Sequence, residues 1–290
     1  MVGRCVFCGL ETLDESKFVR PNLWKGVRKY WYCKSCRGFT LLPSLNNQDM
    51  DDLYENYYNE APIDASYKVI KKKFTDLETY ISSLKKSKVI LDFGCGVDGY
   101  LPALGNDYQI RVDGYEVSAK TIQILQKEFP QNSFYDKNTF ENSSETYDLI
   151  ILSDVLEHLP NPRELLISLQ SRLCPGGQIW IQQPLENNLT VFTVVLKFWA
   201  LLSKSGVSKI PPYHVSLASR RSMLRLIHST DYAVVKYRVR ETLWPAQPRM
   251  DPYSVRKTIL TLIKYVDLSI ACVVKNYGTR AIFLIEKKDE

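Results

Sequence analysis

Four of the seven cysteines fall in two C-x-x-C pairs, Cys5/Cys8 and Cys33/Cys36. A glycine follows close behind each pair (Gly9, Gly38) and lets the backbone curl until both thiolates face one ion. Four thiolates with no open position suit a tetrahedral, structural Zn2+. The segments between the pairs, Phe18-Val19-Arg20 and Tyr30-Trp31-Tyr32, read as short strands. Residues 1–45 are therefore expected to form a zinc ribbon whose small core needs the metal as a staple. No βαβ pattern surrounds either pair, which speaks against redox chemistry.

A second concentration of chemistry lies in Val89-Ile90-Leu91-Asp92-Phe93-Gly94-Cys95-Gly96-Val97-Asp98-Gly99. The apolar run predicts a strand covered on both faces. It breaks into a glycine turn and then opens a helix, which places a nucleotide-type site at the carboxyl edge of an α/β sheet. Gly94, Gly96 and Gly99 keep the spacing that cradles a pyrophosphate. Asp92 and Asp98, however, crowd that place with negative charge, so a cationic, phosphate-free cofactor suits it better.

Further carboxylates stand at predicted strand ends. Glu116, followed by Val117, closes the strand Arg111–Val117 and could accept from ribose hydroxyls. Asp136 ends a brief third strand and could accept from an adenine amino group, or simply be a loop carboxylate. The strand Leu149–Leu152 runs into Ser153-Asp154-Val155-Leu156-Glu157-His158-Leu159. Of the three histidines, His228 reads as structural within a helix. His158 and His214 fall in loops at the carboxyl edge, where an imidazole can take an acceptor proton.

The elements that must position these groups alternate strand and helix. Five strands from Val89 to Gln182 are separated by helices with apolar stripes such as Ile122/Leu125/Phe129 and Leu165/Leu166/Leu169/Leu173. Cys174-Pro175-Gly176-Gly177 is expected to close the second of these helices before strand five at Gln178–Gln182. Tyr232–Val239 and Ala281–Ile285 supply strands six and seven. The segment Tyr67–Leu84 has helical spacing and a basic outer face, and packs on the sheet or lids the site with Tyr57 or Tyr58. Leu189–Leu202 is mostly apolar but too short to span a bilayer. It reads as one more buried helix, or alternatively as a pocket cover or a contact with a membrane surface.

The order D-F-G-C-G, acid after strand two, D-V-L-E-H-L after strand four and L-C-P-G-G before strand five resembles the class I S-adenosylmethionine (SAM) methyltransferases. The resemblance covers residues 86–185. It implies an α/β, Rossmann-like sheet of seven mostly parallel strands with helices on both faces, preceded here by the zinc ribbon. It divides the chain into 1–45 (ribbon), 46–86 (helical connector or lid) and 87–290 (methyltransferase domain). It also implies that Gly94 to Gly96, with Cys95 between them, pass under the methionine moiety and that Glu116 holds the ribose, with Asp92 and Val117 among the cofactor-binding residues. Asp136 would lie near adenine, and Ser153, Asp154, Val155 and His158 along the cofactor. The ribbon, the tyrosines at 54–58 and the His214 loop are similar to methyltransferases of sugar nucleotides and cell-surface glycans. In that subgroup Glu-His commonly stands where this chain has Tyr213-His214. The acceptor is therefore expected to be a sugar or related small molecule, methylated on oxygen or carbon.

Hydrophobic content of 45% and charged content of 24% place the chain among globular proteins. Its first residues lack the apolar core of a signal peptide, so a cytoplasmic setting is expected. Residues 1–45 carry eight Lys/Arg and three Asp/Glu, nearly all of the net charge of +6. An RNA methyltransferase gripping the backbone with a basic ribbon is the second reading. Against it, the catalytic half is near neutral and lacks D/N-P-P-Y after strand four. A non-catalytic binding module is the third reading, and the intact Asp92, Glu116 and Asp154 speak against it.

Overall fold

The ribbon folds as β1 (Leu13–Glu15), β2 (Lys29–Cys33) and β3 (Phe39–Leu42), paired antiparallel in chain order. This computed structural model describes residues 3–11, 13–16, 28–46, 48–50, 75–84, 88–96, 105–202, 214–242 and 255–288. Phe18-Val19-Arg20, the tyrosines at 54–58, Asp98, Gly99 and Tyr213 lie outside these residues.

The alternation then follows the apolar pattern. α1 (Thr75–Ser82) buries Leu77 and Ile81, and its Tyr80 hydroxyl donates to Gln178 at 2.6 Å, so this part of the helix packs on the sheet. β4 (Val89–Phe93) and β5 (Arg111–Tyr115) lead to α2 (Ala119–Glu128), capped by Ser118 as its side chain accepts from the Thr121 N–H. β6 (Phe134–Tyr135), α3 (Lys137–Asn142) and β7 (Tyr147–Ser153) follow, then a 3-10 turn at Leu156–His158 and α4 (Pro162–Ser168). β8 (Leu173–Pro184) is longer than expected. Cys174-Pro175-Gly176-Gly177 belongs to the strand instead of closing the helix, because α4 already tightens into a 3-10 turn at Leu169–Arg172. The rest is α5 (Val191–Leu202), β9 (Ser216–Leu217), α6 (Arg220–His228), β10 (Tyr232–Arg240), α7 (Val255–Val273) and β11 (Arg280–Lys287).

Seven strands form one sheet in the order β10-β11-β8-β7-β4-β5-β6. β4 pairs parallel with both β5 and β7, and β5 parallel with β6, whereas β10 and β11 are antiparallel. This is the expected Rossmann-like architecture. Its order reverses at β4, whose neighbours run to opposite edges, and such a switch point opens a crevice at the carboxyl ends.

The chain divides into two compact units. One comprises Asn46–Val155 and Ser168–Ile181, and the other Met1–Leu45, Leu156–Ile167 and Gln182–Lys288. In the second unit the ribbon gains a fourth strand: β9 pairs antiparallel with β3, Phe39 opposite Leu217 and Thr40 opposite Ser216.

That unit also holds a buried ion pair. Lys264 Nζ lies 2.6 Å from Glu241 Oε1, both side chains fully buried, and Thr279 Oγ1 donates to the same oxygen at 2.7 Å. Lys264→Met would leave Glu241 buried without its counter-charge. The expected loss is about 3–5 kcal/mol in urea unfolding.

Candidate functional site

The turn after β4 is built by backbone geometry. Gly94 and Gly96 have φ of +80° and +63°, a region that costs other residues but not glycine. The N–H groups of Gly94 and Cys95 both donate to Tyr115 O at the end of β5, at 2.8 and 3.1 Å. A Cβ on Gly94 would come within 2.9 Å of Val155 Cγ2, so glycine lets that side chain close on the turn. Among the described residues, a Cβ on Gly96 would meet nothing within 4 Å.

Glu116 anchors the far side. Its Oε2 accepts from Gly96 N–H at 3.0 Å, and its Oε1 accepts from Val117 and Ser118 N–H at 2.8 and 3.1 Å. Among the described residues these three N–H groups engage a carboxylate that has about four acceptor sites. Val117 beside it is 45% exposed, a free apolar surface. Asp92 is buried at the end of β4. Asp154, just past Ser153 at the end of β7, has φ +57°, a strained value that Asp tolerates better than most residues.

Two of the residues expected at the cofactor also have structural partners. The Cys95 side chain turns into the core with Leu125 and Phe134, and a Cβ on Gly114 would touch its sulfur at 2.9 Å. Only the Cys95 backbone belongs to the turn. Asp136 caps α3 in a capping box with Thr139, accepting from the Thr139 N–H at 2.7 Å. The bonds from Thr139 hold its carboxyl below the usual range.

In the other unit the four ribbon cysteines converge. Their sulfurs all lie within 4.8 Å of one another, with Cys5–Cys36 at 3.5 Å and Cys8–Cys33 at 3.6 Å. A tetrahedron of Zn–S bonds near 2.3 Å has edges of about 3.8 Å, so the donor set suits that ion. The first turn uses Gly9 at φ +72°, as expected, but in the second Arg37 takes the left-handed position (φ +64°). Gly38 serves a different end, since a Cβ there would lie 2.4 Å from the Phe7 ring.

His158 and His214 meet edge to face, ring centroids 4.9 Å apart, both buried. His214 Nδ1 pairs with Glu186 Oε1, and Tyr30 Oη donates to His214 O. Val215 N–H donates to Glu157 O at 2.8 Å, while Leu41 N–H on β3 donates to Val215 O at 2.9 Å. Ser219 Oγ donates to Cys36 O and Asn187 Nδ2 to Arg37 O. The loop bearing His214 is thus bonded directly to the cysteine ribbon. Glu157, His158 and His214 each offer a ligand atom within 4.8 Å of the others, a spacing that a divalent cation could also use.

His228 is exposed at the last turn of α6 rather than set among apolar side chains, because its neighbours Leu226 and Ile227 take the buried face. Sequence reasoning missed Glu186 and Tyr30. The first was findable, since Glu186 follows the end of β8 just as Glu116 follows β5. Nothing local marks Tyr30.

The sheet order and the glycine turn closed by a strand-end carboxylate define a Rossmann-like, nucleoside-binding class of fold. A family model described as "Methyltransferase domain" matches residues 66–237, more than half the chain, and the chain belongs to that family. Among curated relatives, the ubiquinone biosynthesis O-methyltransferase of Vibrio parahaemolyticus is 24% identical over 50% of this chain and 63% of its own length. Phosphoethanolamine N-methyltransferase 2 of Caenorhabditis elegans is 21% identical over 45% of this chain and 31% of its own. The chain thus spans less than two thirds of these relatives.

Among solved structures, a SAM-dependent methyltransferase from Archaeoglobus fulgidus matches with TM-score 0.52 at 17% identity. It covers 82% of this chain and 99% of that one. The [4+2]-cyclase SpnF matches with TM-score 0.51 at 14% identity, covering 80% and 86%. A fold shared with a cyclase shows that the chemistry must be argued from side chains.

SAM suits the turn described. The glycine turn ends against the Glu116 carboxylate, and the acids Asp92 and Glu116 favour a cation. Glu116→Ala removes the acceptor of three backbone bonds. It is expected to weaken SAM binding about tenfold to a hundredfold by calorimetry.

Proposed function

We propose that the chain transfers a methyl group from SAM to a hydroxyl, or an activated carbon, of a sugar or glycan-linked small molecule. In this reading Cys5, Cys8, Cys33 and Cys36 hold a structural Zn2+. Asp92, Gly94, Gly96, Glu116 and Val117, with Ser153 to Val155, bind the cofactor. Asp136 caps its own helix and faces the adenine only with what acceptor capacity remains. Bound SAM supplies a methyl group already activated on a sulfonium. The protein's own residues then position the acceptor and accept its proton. In this reading His214 takes that proton, with Glu186 fixing the ring and stabilising the imidazolium. His158, three residues beyond Val155 along the chain, lines the same histidine cluster.

One observation carries the acceptor class. The ribbon's backbone bonds and its fourth strand are engaged in building the His214 loop. A ribbon used in this way supports a shaped small-molecule pocket better than a free basic platform for nucleic acid.

The test is transfer of labelled methyl from SAM to a panel of sugar nucleotides, glycans and RNA, with metal content measured on the same protein. Transfer to a sugar-bearing acceptor, with one zinc per chain, is expected. No SAM binding by folded, zinc-loaded protein would refute methyl transfer altogether. Labelling of RNA alone, weakening steeply with salt, would replace the sugar reading. A second tightly held metal ion would make Glu157, His158 and His214 its ligands and rule out His214 as the proton acceptor.

A further inference from the structure

We propose that the outward faces of α5 and α7 dock on an anionic lipid bilayer surface. The inference goes beyond the acceptor assignment and does not depend on it. Surface helices normally turn a polar face outward. These two do the reverse. On α7 the buried stripe contains Lys264 and Asp267, while Leu262, Tyr265 and Val266 are half or more exposed. On α5 Phe192 and Thr193 are buried, while Val194 and Phe198 face out, and Leu189 just before the helix is 78% exposed. The apolar segment expected from sequence to be a buried helix is therefore buried on one side only.

The polar groups on the inner side clamp the helices together. Asp267 accepts from the Val191 and Phe192 N–H groups at the start of α5, both at 2.9 Å. This is the end of a helix at which a negative charge is favoured. Lys264 Nζ sits 4.4 Å above the Phe192 ring and is neutralised by Glu241. The outward apolar side chains are thus carried on a fixed plate rather than on loose segments.

Charge selects the partner. Between 189 and 202 and between 255 and 275 the single acid, Asp267, is buried and Lys264 is neutralised by Glu241, which leaves Lys197, Arg256, Lys257 and Lys275 as the other charges of the two segments. An apolar face on helices whose remaining charges are all basic is the pattern of a helix lying at an anionic interface. A second copy of this chain across a two-fold axis would set like charges against each other, which favours lipid over self-association. Among the described residues no helix is long and apolar enough to cross a membrane, so the plate lies on the bilayer and does not span it.

Co-sedimentation of the full chain decides this, with vesicles of phosphatidylglycerol in phosphatidylcholine and with phosphatidylcholine alone. The wild type should pellet with the anionic vesicles, weakly with the neutral ones, and less as salt rises. The double variant Phe198→Glu, Leu262→Glu should lose about tenfold or more of that binding. It should keep its circular dichroism and SAM affinity, which separates lost docking from lost folding. Wild-type protein left in the supernatant, or an equally bound double variant, would overturn the proposal. So would a concentration-dependent dimer by sedimentation equilibrium that the double variant abolishes, since the face would then be a self-interface.

Discussion

Cys33→Ser is expected to lower methyl transfer by about a hundredfold or more while SAM affinity changes little, because small misplacements of a reacting group cost that much. The reason is the division of labour in the fold. The groups expected to bind SAM, from Asp92 to Val155, lie in one compact unit, and the four cysteines lie in the other. The cysteines hold β3 in place, and β3 holds β9 and the Val215 carbonyl immediately after His214. Cys36 itself accepts from Ser219 Oγ on the far side of the same loop. Loss of the ion removes the common tie between the four sulfurs and loosens every one of these supports. Because the serine variant could also misfold, chelation of the wild type gives a second arm. Activity should fall with zinc content and return on adding zinc, with calorimetric SAM binding present throughout. Full activity in zinc-free protein would show that the ribbon does not support the histidine loop. Loss of SAM binding in step with activity would show that it supports the whole fold.

How much of this is visible in the sequence depends on the range of the interaction. The C-x-x-C pairs, the glycine turn after β4 and the acid after β5 are local patterns, and each forms where its spacing predicts. The sheet order follows because strand–helix alternation leaves few topologies open to a parallel sheet. The histidine cluster is a different matter. Tyr30 reaches the His214 carbonyl across 184 positions, and β9 is a strand of two residues with no periodicity to read. Only the packed ribbon makes them meet. Arg37 in the left-handed position shows the same limit on a smaller scale. Gly38 looks like the turn residue, but the Phe7 ring takes the space that its side chain would need. The cap at Asp136 is local, yet sequence weighs it evenly against a cofactor contact, because strand-end and helix-start carboxylates look alike until Thr139 closes the capping box.

The second large effect concerns His214. His214→Asn should reduce kcat by about a hundredfold to ten-thousandfold, the range attributed to a positioned general base. The melting temperature and SAM affinity should stay close to wild type. The ring is buried, but asparagine can keep a polar contact toward Glu186, and the backbone bonds through His214 O and Val215 are untouched. A purely structural role would show instead in melting temperature and in both kinetic constants. Glu186→Gln tests the same pair from the other side. It keeps a hydrogen-bond acceptor for Nδ1 but removes the charge that stabilises the imidazolium formed as the acceptor gives up its proton. The loss should be about tenfold to a hundredfold in kcat with little change in the acceptor KM, since a charge-assisted bond contributes about 1.5–3 kcal/mol. His158→Asn should cost less than His214→Asn, because Glu186 pairs with His214 and gives that ring its orientation. If His158→Asn abolishes transfer while His214→Asn leaves most of it, the proton goes to His158, and the Glu186–His214 pair serves to hold that ring in place.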